Sequence, residues 1–253
     1  MESEGKQPFL GHLEELRRRL ISCAIAIGIG FIISYIFSER LFRILIKPLK
    51  SLLPEGDRLI FTNLPEMFFA YLKTAFIAGI LLAAPFLFYQ IWMFIAPGLY
   101  QKEKRFAFPF VIFSTLLFVG GALFGYFVVF PFGFKFFLGF ADEYIQALPS
   151  IKQYFSFAIK LLFAFGIVFE LPVVVFFLAK MGLVSPDLLR RKRKYALLLT
   201  FVAAAILTPP DVITQCLMAG PLIILYEVGI IVARFAVKKK PVGDEVVDER
   251  IGL

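Results

Sequence analysis

Long apolar runs separated by short charged connections dominate this chain. They predict six membrane-spanning helices, at about residues 21–37, 67–95, 106–130, 155–181, 195–207 and 214–237. A spanning helix needs roughly 20 apolar residues, within a range of about 17–25, and the first four runs meet or exceed that. The apolar stretch 41–49 predicts a short helix inside a proline-bearing external connection, 38–66. The phenylalanine-rich stretch 132–140 predicts a second folded cap, within 131–154. Ahead of the first run, Leu13, Leu16 and Leu20 recur at helical spacing, with Glu14, Glu15, Arg17, Arg18 and Arg19 on the other faces. That pattern predicts an interfacial helix over about 8–20 that feeds the first span. It makes a poor signal peptide, since acids crowd its basic part and no small-residue cleavage site follows.

The fifth run holds only about 13 residues between Lys194 and Thr208. At 1.5 Å per residue that is about 20 Å, against a hydrocarbon core of about 30 Å. The turn Thr208-Pro209-Pro210-Asp211 must then sit under a thinned bilayer or inside protein. A return of equal length brings the chain to Glu227, near the starting interface. The expectation is therefore an all-α membrane protein with short fifth and sixth spans. Residues 238–253 mix acids and cations and read as a disordered tail, leaving 1–237 as a single six-span domain.

Composition agrees with the pattern. Of 253 residues 60% are hydrophobic, 33 are Phe, and the mean hydropathy is +0.83, well above a soluble domain. The net charge of +8 does not signal nucleic acid, because the cations sit in connections beside apolar spans. Seventeen Lys and Arg fall in the N-terminus, the second and fourth connections and the C-terminus, against seven on the other side. The positive-inside rule then places both termini in the cytoplasm. Cys23 and Cys216 lie in different runs, and His12 is the single histidine. No disulfide framework, metal site, cofactor motif or catalytic constellation follows.

A few polar residues stand out. Glu170 lies within the fourth span, where an ionisable group is costly and by default functional; Pro172 just after it predicts a kink. Lys73 and Lys160 lie close enough to span ends to snorkel. In the stretch 89–105, YQIWMFIAPGLYQKEKR, an apolar helix with Trp92 and Phe94 reaches the membrane surface and stops at Pro97 and Gly98. Glu103 then sits among Lys102, Lys104 and Arg105. Glu103 and Glu15 are the acids beside span ends on the cation-rich face, suited to accept guanidinium groups; each could instead pair with its own neighbours, at about 0–1 kcal/mol. Asp211 reads as a cap of the sixth span, with Gln215 placed to hydrogen-bond across helices.

Several stretches together resemble the TatC family of the twin-arginine protein translocase. They are HLEELRRRL at 12–20, KPL at 47–49, the 89–105 stretch, GYFVVFP at 125–131, SFAIKLLFAFGIVFELP at 156–172 and LTPPDVITQ at 207–215. The resemblance covers about 8–237. It implies a concave six-helix receptor in the cytoplasmic membrane for paired-arginine signal peptides of folded cargo. It implies action with TatA-like and TatB-like single-span partners, self-association and drive by the proton-motive force. It also implies that Glu15, Glu103 and Phe94 serve arginine-pair recognition and that Glu170 is the intramembrane acid. Asp211 would be the external-turn acid, Pro48 a member of the external cap, and the region of Thr208 and Gln215 a contact for the single-span partners. Two other classes fit the residues alone: a small-solute transporter using Glu170 for protons, and a membrane scaffold without a ligand.

Overall fold

A computed structural model describes residues 6–54, 59–95, 107–140, 148–207 and 212–236. The elements are α1 (Lys6–Ile36), α2 (Ser38–Lys50), α3 (Glu66–Ile95), α4 (Ala107–Phe124), α5 (Phe130–Leu138), α6 (Ile151–Phe169), α7 (Leu171–Lys180), α8 (Pro186–Arg191), α9 (Arg193–Leu207) and α10 (Val212–Ala236). A π-turn, Gly125–Val129, joins α4 to α5. Among the described residues the only extended pairing is one parallel bridge between Ile60 and Ser150.

The interfacial helix and the first span form one continuous 31-residue helix, α1. No proline interrupts its apolar part, and nothing in the local sequence favours a break between Arg19 and Leu20. α1 packs along α3, which also contacts α4, α6 and α2. The α1–α3 contact depends on two glycines. A Cβ on Gly30 would lie 2.5 Å from the Gly79 carbonyl oxygen, and one on Gly79 would lie 2.6 Å from the Phe31 nitrogen. Small residues of this kind let helix backbones approach closely inside a membrane.

The helices alternate between a cap end and a cationic end. At the cap end, α2 buries Phe42, Leu45 and Leu49, and Phe42 stacks on Phe155 of α6 at 4.5 Å. This is the short helix expected over 41–49. Pro48 lies inside it and has no N–H for the carbonyl of Ile44 one turn back. The Tyr126 hydroxyl donates to that carbonyl at 2.6 Å. Tyr154 donates its hydroxyl to the neighbouring Leu45 carbonyl. The two external connections meet directly: the Ile60 N–H donates to Pro149 O at 3.2 Å and the Ile151 N–H to Ile60 O at 2.9 Å.

One boundary and one span length differ from expectation, and one predicted kink is present. The third helix does not end near 130. It continues through the π-turn to Leu138, because the extra residue in the turn absorbs the step into Pro131 without breaking the helix. The fourth span is broken at Glu170, where Pro172 ends α6 and starts α7, the kink the sequence predicts. The fifth span is short, with 15 residues in α9, but α10 runs 25 residues and is long and apolar enough to cross a membrane. The reason is visible in an ion pair of Arg193 with Glu227 at 2.6 Å. It sets Glu227 level with the start of α9, and α10 simply continues past that level to Ala236.

Candidate functional site

The cationic end is built where α1 meets the last turns of α3. Glu15 and Arg19 lie four residues apart on α1, hence on one face. The Arg19 guanidinium bonds Glu15 Oε1 through Nη2 and through Nε, the latter at 3.0 Å. Its Nη1 donates to Gln90 Oε1 on α3 at 3.2 Å. The Arg19 and Glu15 side chains are 16% and 28% exposed, so the pair is partly withdrawn from solvent and held against α3. Glu15 is therefore paired with its own neighbour Arg19, the alternative the sequence left open, and a guest guanidinium has to share or displace that partner. Gln90 had no assigned role in the sequence; a lone amide in YQIWMF was the available signal, but its partner on α1 was not readable.

One turn beyond Gln90, Phe94 is half-buried and lines an apolar cavity of about 660 Å³. The walls come from α3, α4, α6 and α7, including Phe88, Phe118 and Phe177. Glu170 opens into the same cavity and is the only ionisable side chain among its described lining residues. The α6–α7 break places it there, since the kink at Pro172 turns the carboxyl inward. Ser114, fully buried on α4, is the hydroxyl that faces it. Neither Glu170 Oε1 nor Ser114 Oγ makes a hydrogen bond among the described residues. The structure therefore joins Phe94 and Glu170, which the sequence treated separately, and names the α4 neighbour of Glu170.

Trp92, three residues before the end of α3, sits in a helix junction. It is 1% exposed and packs on Phe110 and Phe177 at 5.0 and 5.3 Å, fixing α3 to α4 and α7 beside the cavity.

At the far edge, Gln215 Nε2 donates to the Phe201 carbonyl at 3.0 Å, tying α10 to α9. Tyr226 donates its hydroxyl to Leu189 O at 2.8 Å, tying α10 to α8. Leu198, Leu199 and Ile206 on α9 are exposed. Pro48 sits in the cap as described above. Glu103, Thr208 and Asp211 lie outside the described residues.

Among the described residues, five helices are long and apolar enough to cross a membrane. With the short α9 and the single-acid cavity, they define a multi-pass helical membrane protein. The chain belongs to the TatC family: the profile described as "Sec-independent protein translocase protein (TatC)" matches residues 11–221. It is 57% identical over 242 residues to the protein of that name from Desulforapulum autotrophicum, covering 96% of this chain and 90% of the relative. It is 42% identical over 239 residues to the Escherichia coli K12 protein of that name, covering 94% and 93%. A crystal structure described as that of the twin arginine translocase receptor TatC superposes with a TM-score of 0.80 at 43% identity, over 90% of this chain and all of the other. The relatives are named as protein translocase components, which is a transport role.

Proposed function

We propose that this protein is the receptor core of a twin-arginine translocation system. Both termini face the cytoplasm, and the cationic end binds the paired-arginine signal of folded cargo. Glu15 and Glu103 accept the two guanidinium groups, and Phe94 packs against the residues that follow. The observation that carries this reading is the Glu15–Arg19–Gln90 arrangement. A carboxylate that holds a guanidinium, partly desolvated and anchored to a second helix, is suited to charge-assisted recognition of another arginine.

From there the apolar part of the signal enters the cavity lined by Phe94 and reaches Glu170. An apolar groove suits an apolar helix, and a single acid at its inner end provides the group that couples to the proton-motive force. The short α9 and the adjacent α10 thin the bilayer and offer a docking edge to TatA-like and TatB-like single-span helices. Thr208, Asp211 and Gln215 contribute polar contacts there. Further copies of the chain join the same receptor complex in the cytoplasmic membrane, and export draws on the proton-motive force.

Charge reversal at Glu103 tests the docking step. With Glu103→Arg in full-length protein in native membranes, crosslinking of a twin-arginine signal peptide is expected to disappear. Undiminished crosslinking would refute the receptor reading.

A further inference from the structure

We propose that the cap end carries a site for an anionic phospholipid, with Lys73 and Lys152 binding the phosphate and the acyl chain running down between α1, α3 and α6. The site is distinct from the signal groove. Two cavities meet at Lys73. The first, about 620 Å³, lies at the cap and is lined by Asn63, Glu66, Phe69, Lys73, Lys152 and Phe155, among others. The second, about 270 Å³, is walled by Phe31, Leu72, Phe76 and Ile159, with Lys73 at its mouth. The first carries two lysines and one acid among mostly apolar walls; the other is apolar and lies deeper along α3. An amphiphile with an anionic head and a hydrocarbon tail matches that order.

Two lysines against one acid leave the cap cavity with a net positive charge. Glu66 is occupied by neutral donors: Thr62 Oγ1 at 2.8 Å, Thr62 N at 3.3 Å and Asn63 Nδ2 at 3.1 Å. Among the described residues neither Lys73 nor Lys152 has a carboxylate within ion-pair distance. Lys73 Nζ instead donates to Ser156 Oγ of α6 at 3.0 Å. That bond aims the ammonium across to α6, where Lys152 lies one turn toward the cap on the same face as Ser156. Lys73 is seven residues inside α3, about 10 Å below its start. A lysine at that depth lifts its head toward the phosphate layer along its own stem. A basic residue at an anionic lipid surface contributes about fivefold in affinity, and two convergent lysines multiply that.

Native mass spectrometry of the detergent-purified full-length protein tests the site. Phosphatidylglycerol is titrated against phosphatidylcholine of the same chains, and inorganic phosphate is added as a competitor. The wild type is expected to retain phosphatidylglycerol at least about tenfold better than phosphatidylcholine. The Lys73→Gln, Lys152→Gln pair is expected to lose that preference, and the Lys73→Arg, Lys152→Arg pair to keep it. Phosphate is expected not to displace the lipid. The proposal is overturned if the Gln pair retains phosphatidylglycerol undiminished, if the Arg pair loses it as fully as the Gln pair, or if free phosphate displaces it.

Discussion

The hydroxyl of Tyr126 donates to the carbonyl of Ile44 at 2.6 Å, the one carbonyl in α2 whose helical donor Pro48 cannot supply. A proline in the cap helix and a tyrosine in the π-turn of the third helix therefore form one unit. Tyr126→Phe is expected to lower stability by about 1 kcal/mol, the net value of an ordinary hydrogen bond. In a Pro48→Ala background the restored N–H satisfies the carbonyl, and the same substitution should cost less than half as much. Thermal unfolding of the four proteins in detergent measures this; equal costs in both backgrounds would show that the two residues do not share that carbonyl.

The α1–α3 junction is closed to any side chain at Gly79, where a Cβ meets backbone atoms that cannot rotate away. Gly79→Val should therefore destabilise the protein by about 1–3 kcal/mol, the cost of overpacking. Gly28, on the same helix as Gly30, has open space around its Cα, and Gly28→Ala should leave the melting temperature unchanged or raise it. Thermal denaturation followed by size-exclusion fluorescence separates the two.

Glu170 holds a buried oxygen without a donor among the described residues. An unsatisfied buried polar atom costs about 1–3 kcal/mol, so Glu170→Leu should raise stability by an amount in that range while export falls. Paired measurement of melting temperature and export checks the trade. A variant that loses stability as well would mean the carboxyl contributes to packing in a way the cavity does not reveal.

Glu15 and Glu14 offer an internal control. Both lie on α1, but Glu14 is exposed and only Glu15 meets Arg19. Glu15→Gln should weaken binding of a twin-arginine signal peptide about tenfold, or about 1.4 kcal/mol, since a hydrogen bond to a charged group is lost. Glu14→Gln should change it by less than about twofold, as exposed charges contribute little. Fluorescence titration with a labelled peptide reads both.

Much of this architecture was legible in the sequence because the bilayer imposes length and polarity directly. The short fifth run between Lys194 and Thr208 became the 15-residue α9. Pro172 marked the break at Glu170, and 41–49 became the cap helix. What local pattern could not supply was adjacency. Nothing in the third span pointed Ser114 at Glu170, and nothing around Gln90 pointed it at Arg19, because membrane helices pair through packing with no unique sequence code. The Ile60–Ser150 bridge joins segments 90 positions apart for backbone reasons alone. The passage of the third helix through a π-turn to Leu138 was hidden by Pro131, which usually reads as a helix start. The partners of Trp92 were hidden for a similar cause: an indole near a span end suits an interface or a helix junction equally well until the neighbours are known.

The central claim is that a pair of carboxylates at the cationic end reads paired arginines. A photoreactive residue introduced at position 103 in full-length protein, challenged with signal peptides carrying Arg-Arg or Lys-Lys, tests it most directly. Lysine cannot reproduce the two-pronged guanidinium contact, so crosslinking is predicted to be strong with Arg-Arg and at least about tenfold weaker with Lys-Lys, a difference of about 1.4 kcal/mol. Equal crosslinking by the two peptides would contradict it.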